Sequence, residues 1–151
     1  MGSHEEYGKS VMRAAVGNAY TDSGASVEID YGAGQPARID GTVAGVIAVE
    51  IESRVSKQIR GAVLDLICHS YTKKLLVLLP VHMSDPGVAM KQCEHILLRF
   101  LKRSDFRVVL LTGSGDYHRL EPDKECVLQA VHELGYDPAV ARRSDPHSPV
   151  A

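Results

Sequence analysis

Glu50 and Glu52 close the run Gly45-Val-Ile-Ala-Val-Glu-Ile-Glu52, which is apolar on both faces until its end. Read as a strand, the run sends both carboxylates to the same side, because alternate residues share a face. Burying unpaired charge is costly, so two same-face acids ending a buried strand call for a partner. Asp40 precedes this strand, across the bend Val43-Ala-Gly45. If Asp40-Gly41-Thr42 folds back beside Glu50, three carboxylates meet. Such a cluster suits a hard divalent cation, Mg²⁺ with Mn²⁺ as substitute. The alternative is that both glutamates emerge into solvent at a strand end.

Cationic residues follow at once. Arg54, Lys57 and Arg60 lie three apart, near enough to one helical face to meet phosphates, with Gln58 beside them. A solvated helix face is the competing reading for each. Charge is distributed unevenly along the 151 residues: the net values are −5 over 1–53, +6 over 54–107 and −3 over 108–151. A basic middle flanked by acidic ends fits a nucleic-acid surface next to metal-binding acids, or an ordinary soluble surface.

The elements that position these residues read as follows. Val11, Met12, Ala15, Val16 and Ala19 recur at helical spacing from Glu5 to about Tyr20, before the turn formers 21–24. Ser26 to Tyr31 alternates as a half-exposed strand, with Val27, Ile29 and Tyr31 on one face, and Ala37 to Val43 makes a second. The run from Gly45 to Glu52 is a central strand buried on both sides. Ser56 caps a helix from Lys57 to about Ser70, facing Ile59, Val63, Leu64, Ile67 and Cys68 inward. Strands at 75–81 and 106–111 alternate with helices at 86–102 and 123–134, the first opened by Asp85-Pro86. The fold class is α/β, with a mixed sheet of about five strands flanked by helices. Residues 1–140 form a single domain, and 141–151, with two prolines, a flexible tail.

The sequence resembles the PD-(D/E)XK nuclease superfamily, the restriction-endonuclease-like fold. The matching residues are Ile39-Asp40 and Glu50-Ile51-Glu52, and the element order matches over roughly residues 5–112. Two positions depart from the pattern: Ile39 stands for the proline, and Glu52 for the lysine, as in the Glu-x-Glu motif of BamHI-like restriction enzymes. The resemblance implies Asp40, Glu50 and the Ile51 backbone carbonyl as Mg²⁺ ligands. It implies Glu52 as a further ligand or as the group that deprotonates water, and Lys57, then Gln58, in the lost lysine's place. Arg54, Lys57, Gln58 and Arg60 would then meet DNA phosphates. The superfamily often adds an acid from the first helix, which points to Glu6.

The implied function is a metal-dependent DNA endonuclease: a restriction or nicking enzyme, or the nuclease subunit of a larger system. A core of this length would need a homodimer or partner subunit to cut both strands. One alternative is a catalytically degraded DNA-binding or assembly module of the same fold. Another is a small-molecule enzyme using the loop Thr112-Gly-Ser-Gly-Asp116, which is neither G-x-G-x-x-G nor a P-loop. Glu28 and Asp30 read as exposed strand charge or an added ligand. Cys68, Cys93 and Cys126 form no C-x-x-C pair and read as small buried thiols, and His69 and His82 as core or rim residues. No apolar run approaches the ~20 residues of a membrane span, and no signal-peptide pattern opens the chain, so a cytoplasmic protein is expected.

Overall fold

The computed structural model describes residues 3–55, 57–113 and 117–137. Helix α1 (Ser3–Val16) leads through a short 3-10 turn at Gly17–Ala19 into β1 (Tyr20–Thr21). A two-stranded ribbon follows, β2 (Glu28–Ile29) with β3 (Ala37–Arg38), then β4 (Gly41–Val43) and β5 (Ile47–Glu52). Next come α2 (Lys57–Cys68), β6 (Lys73–Leu78), α3 (Pro86–Leu97), β7 (Phe106–Leu110) and α4 (Leu120–Glu133). The main sheet has five strands in the order β1-β4-β5-β6-β7. β4 is antiparallel to β1 and β5, whereas β5, β6 and β7 run parallel, so the mixed α/β sheet expected from the sequence is present.

Alternation along the strands separates two apolar layers. Ile47, Val49 and Ile51, with Leu75, Val77 and Val109, face α1 and α4. Ala48, Leu76, Leu78 and Val108 face α2 and α3. Glu50 and Glu52 share the parity of Ala48 and therefore belong to the second side. On the first side α1 comes very close to β5, because a Cβ on Gly8 would sit 2.5 Å from Ile51 Cγ2. Glycine is the residue that permits this approach. The β4–β5 hairpin turns at Ala44 and Gly45, both at positive φ (53° and 67°), with Val46 N–H donating to the Val43 carbonyl. That is the signature of a primed turn, whose twist matches the strands it joins.

Several boundaries differ from the sequence reading. The first helix stops at Val16 because Gly17 takes positive φ (59°), and the released chain supplies edge strand β1. Ser26–Tyr31 is not one strand: Val27 and Ile29 are buried, but Tyr31 is exposed and hydrogen-bonds Asp65. The expected strand 37–43 is broken at Ile39-Asp40. There Ile39 N–H donates to the Val27 carbonyl, one step further along the β2–β3 register, whereas Asp40 N–H donates to a side chain, so the chain passes from the ribbon to the main sheet between them. On α2 the buried set is Ile59, Ala62, Val63 and Leu66, an i, i+3, i+4, i+7 stripe. Leu64, expected inside, is 55% exposed, and Cys68 is exposed. Of the thiols only Cys93 is fully buried. Helix α3 ends at Leu97 rather than near 102. Helix α4 starts at Leu120, so Pro122 lies in its first turn, where the missing N–H has no intrahelical role. Ser56, residues 114–116 and the tail 141–151 fall outside the described residues. Among the described residues no helix is long and apolar enough to cross a membrane.

Candidate active site

The carboxyl groups meet where β4 gives out beside β5. The register pairs Gly41 with Val49, so one step further Asp40 faces Glu50 across the strand gap. Two side chain–backbone bonds take over from the ladder there. Asp40 N–H donates to Glu50 Oε1 at 2.8 Å, and Ile51 N–H donates to Asp40 Oδ2 at 2.7 Å. The Tyr20 hydroxyl donates to the Asp40 carbonyl at 2.9 Å, fixing the same residue from β1. That contact requires Gly41, since a Cβ there would lie 2.4 Å from the tyrosine ring.

Asp40, Glu50 and Glu52 line one cavity of about 550 Å³, together with His4, Glu5, Arg38, Ile51, Ser53, Arg54, Asp65, Leu79 and His82. Its electrostatics are those of an anionic site short of cations. Burial pushes the Asp40 carboxyl above its ordinary range, with neighbouring Glu5 adding to the rise, although the Ile51 N–H bond opposes it. Glu50 is pushed up further, first by burial and then by the charge of Asp40. Lys9 favours ionisation of Asp40 but is already engaged by Asp22 (3.4 Å) and Glu5 (4.0 Å).

Glu52 differs in kind from its two neighbours. It is 5% exposed, and four N–H groups converge on its carboxylate. Oε2 accepts from Ser53 N (3.0 Å), Arg54 N (2.9 Å) and Arg54 Nε (3.0 Å), and Oε1 accepts from Arg54 Nη2 (3.1 Å). This paired fork holds the Arg54 guanidinium firmly charged.

The remaining expectations divide. Lys57 and Gln58 are exposed on the first turn of α2 and do not line the cavity; Arg60 is also exposed and lines a different groove, between α2 and α3. From α1 it is Glu5, not Glu6, that reaches the cavity, while Glu6 is exposed. Glu28 stands in register with Arg38 on the ribbon, and Asp30 accepts from Gly32 N–H, so neither joins the acids. Sequence reasoning misses Arg38, Asp65 and His4, and reads His82 only as a core or rim residue. Arg38 carries a usable signal: two residues before Asp40, it shares that side of the chain. His82 and His4 come from distant segments and meet edge to face, centroids 5.4 Å apart, which no local spacing signals.

Among the described residues no three His, Cys, Asp or Glu side chains are disposed as a metal cage. Two adjacent carboxylates with an adjoining backbone carbonyl still fit Mg²⁺, which keeps several waters and commonly takes only one or two protein carboxylates. Asp40, Glu50 and the carbonyl of Ile51 would hold it. Comparison of the chain with protein-family models, curated proteins and solved structures found no match.

Proposed function

We propose that the chain is a metal-dependent phosphodiesterase acting on DNA. The observation that carries this reading is the Asp40–Glu50 pair, a half-buried and a buried acid side by side with too few internal donors to balance their charge. A divalent cation in that position supplies Lewis acidity toward a phosphate and a nearby water. Asp40 and Glu50 bind, and the strand register fixes the distance between them before any ligand arrives. Arg38 and Arg54 add positive charge to the cavity rim, where a polyanion must approach acids that otherwise repel it. Resemblance of Ile39-Asp40 and Glu50-Ile51-Glu52 to the PD-(D/E)XK pattern gives the same assignment, including a restriction-endonuclease-like core. Cutting both strands requires a second copy or a partner subunit.

One observation favours the second reading, a DNA-binding or assembly module whose chemistry has lapsed. Glu52 has both oxygens engaged by N–H donors, three on Oε2 and one on Oε1, as a clasp on Arg54 rather than as an open base. Calorimetric titration with Mn²⁺, paired with nicking of supercoiled plasmid, separates the two. The phosphodiesterase reading expects wild-type binding and nicking, with both lost in Asp40→Ala and Glu50→Ala. Mn²⁺ affinity that is absent, or indifferent to both substitutions, would leave only the binding module.

A further inference from the structure

We infer that Arg54, clasped by Glu52, is the phosphate-anchoring cation of this cavity, and that Glu52 is a positioning residue rather than a metal ligand or a base. The identity of the anion as a DNA phosphate rests on the phosphodiesterase reading.

The two side chains spend their hydrogen-bonding capacity unequally. A carboxylate offers about four lone-pair sites, and Glu52 receives four N–H bonds in a buried setting. Oε2 takes three of them and Oε1 the fourth, so most of the carboxylate's capacity is spent on holding Ser53 and Arg54. A guanidinium carries five N–H donors in a rigid fork. Arg54 spends one on Nε and one on Nη2, both turned toward Glu52. The donors on Nη1 and the second on Nη2 remain, and the side chain is 67% exposed while lining the same cavity as Asp40 and Glu50. The backbone N–H of Arg54 is bound to the same carboxylate. Main chain and guanidinium are thus fixed together, and the ordering cost of presenting the fork falls on folding rather than on binding.

Charge explains why a held arginine serves better here than a free lysine. A mobile ammonium beside Asp40 and Glu50 would neutralise them itself and compete with the cation they lack. The Glu52–Arg54 pair has no net charge, yet its positive end is the exposed one. It offers directed donors to an anion without filling the acid pair. Lys57, the nearest lysine after the motif, stands exposed on α2 and outside the cavity lining.

The test measures anisotropy of a labelled duplex oligonucleotide, in Ca²⁺ and in EDTA, alongside Mn²⁺ calorimetry, for wild type, Arg54→Ala, Arg54→Lys, Glu52→Gln and Asp40→Ala. Arg54→Ala is expected to lower duplex affinity about tenfold or more and to reduce the salt slope by about 1, with Mn²⁺ affinity unchanged. Arg54→Lys should not restore the loss, because an ammonium cannot fork. Glu52→Gln should reproduce a fraction of it, still at wild-type Mn²⁺ affinity. Three results overturn the inference: a wild type that does not bind the duplex, Arg54→Ala binding it within about twofold of wild type, or Glu52→Gln losing Mn²⁺ affinity as Asp40→Ala does. If Glu52→Gln fails to fold, the two substitutions of the exposed Arg54 decide the matter. Should Mn²⁺ affinity be absent while Arg54→Ala still loses the duplex, the phosphodiesterase reading fails and the anchor stands.

Discussion

Two sets of carboxyl groups set into this protein are treated in opposite ways. Asp123, 1% exposed at the start of α4, accepts from the Tyr7 hydroxyl (2.6 Å), Thr112 N (2.7 Å) and Oγ1 (2.8 Å), and Gly113 N (2.8 Å). Burial alone would raise its pKa, but those donors hold it below the usual carboxylate range. Asp40 and Glu50 each receive a single backbone N–H, face one another, and are both pushed up. Asp123 is balanced from within and stitches α1 and the segment after β7 to α4. The Asp40–Glu50 pair is left in deficit, which is the condition of a site that takes its balance from a ligand. Glu50 and Asp123 are buried and Asp40 half-buried; what separates the two sets is the count of donors.

Substitution can break this contrast. Asp123→Ala should cost about 3–5 kcal/mol, because it leaves several buried donors unpaired around a former charge. Glu50→Gln should instead stabilise the metal-free protein at pH 8, by about 1–2 kcal/mol, since an amide keeps the bond from Asp40 N–H and needs no proton taken up on folding. Urea unfolding in EDTA reads both. Equal losses in the two variants would end the distinction.

Dependence on pH sharpens it, and the signs differ. Asp123 has a depressed folded pKa, so its contribution is complete above the unfolded value of about 3.9 and disappears as pH falls through the folded one. Asp40 and Glu50 have raised folded values. The metal-free protein is therefore most stable, as far as they are concerned, below their unfolded values near 4, and loses stability as pH climbs toward the folded ones. Thermal melts in EDTA should show the advantage of Glu50→Gln growing from pH 4 upward, and the deficit of Asp123→Asn shrinking below that pH.

A loss smaller than that of Asp123→Ala is expected from Gly8→Ala, whose new methyl meets Ile51 Cγ2 and must push α1 off the strand that carries Glu50, at about 1–3 kcal/mol. The denaturation midpoint measures it, and a neutral result would mean that α1 is free to slide. The least effect belongs to Lys57→Ala and Arg60→Ala. Both residues are exposed on α2, and each should lower the salt slope of duplex binding by about 1 while leaving Mn²⁺ affinity alone. A Lys57→Ala variant that binds normally but no longer nicks would return the cationic role to that lysine.

Legibility in the sequence follows the range of the forces involved. The buried strands β5, β6 and β7 are continuous apolar runs, and the meeting of Asp40 with Glu50 follows from a hairpin register that one bend sets. Edge strand β1 and the β2–β3 ribbon have two residues per strand, too few for any period to register. The inward face of α2 is hard to place because Leu64 is apolar yet outward, while Ala62, which reads as neutral, is the buried neighbour. The Glu52–Arg54 clasp is hidden for another reason. Strand parity governs residues two apart only while the strand lasts, whereas the chain leaves it after Glu52 and curls its own arginine back.

The break in the sheet at Ile39-Asp40 has one more consequence. Because Asp40 and Glu50 stand in for missing ladder bonds, the strand junction itself needs an oxygen acceptor at each position, whatever the protein does. An amide satisfies that need as well as an acid. The negative charge at these two positions is therefore more than the hairpin's own hydrogen bonding requires.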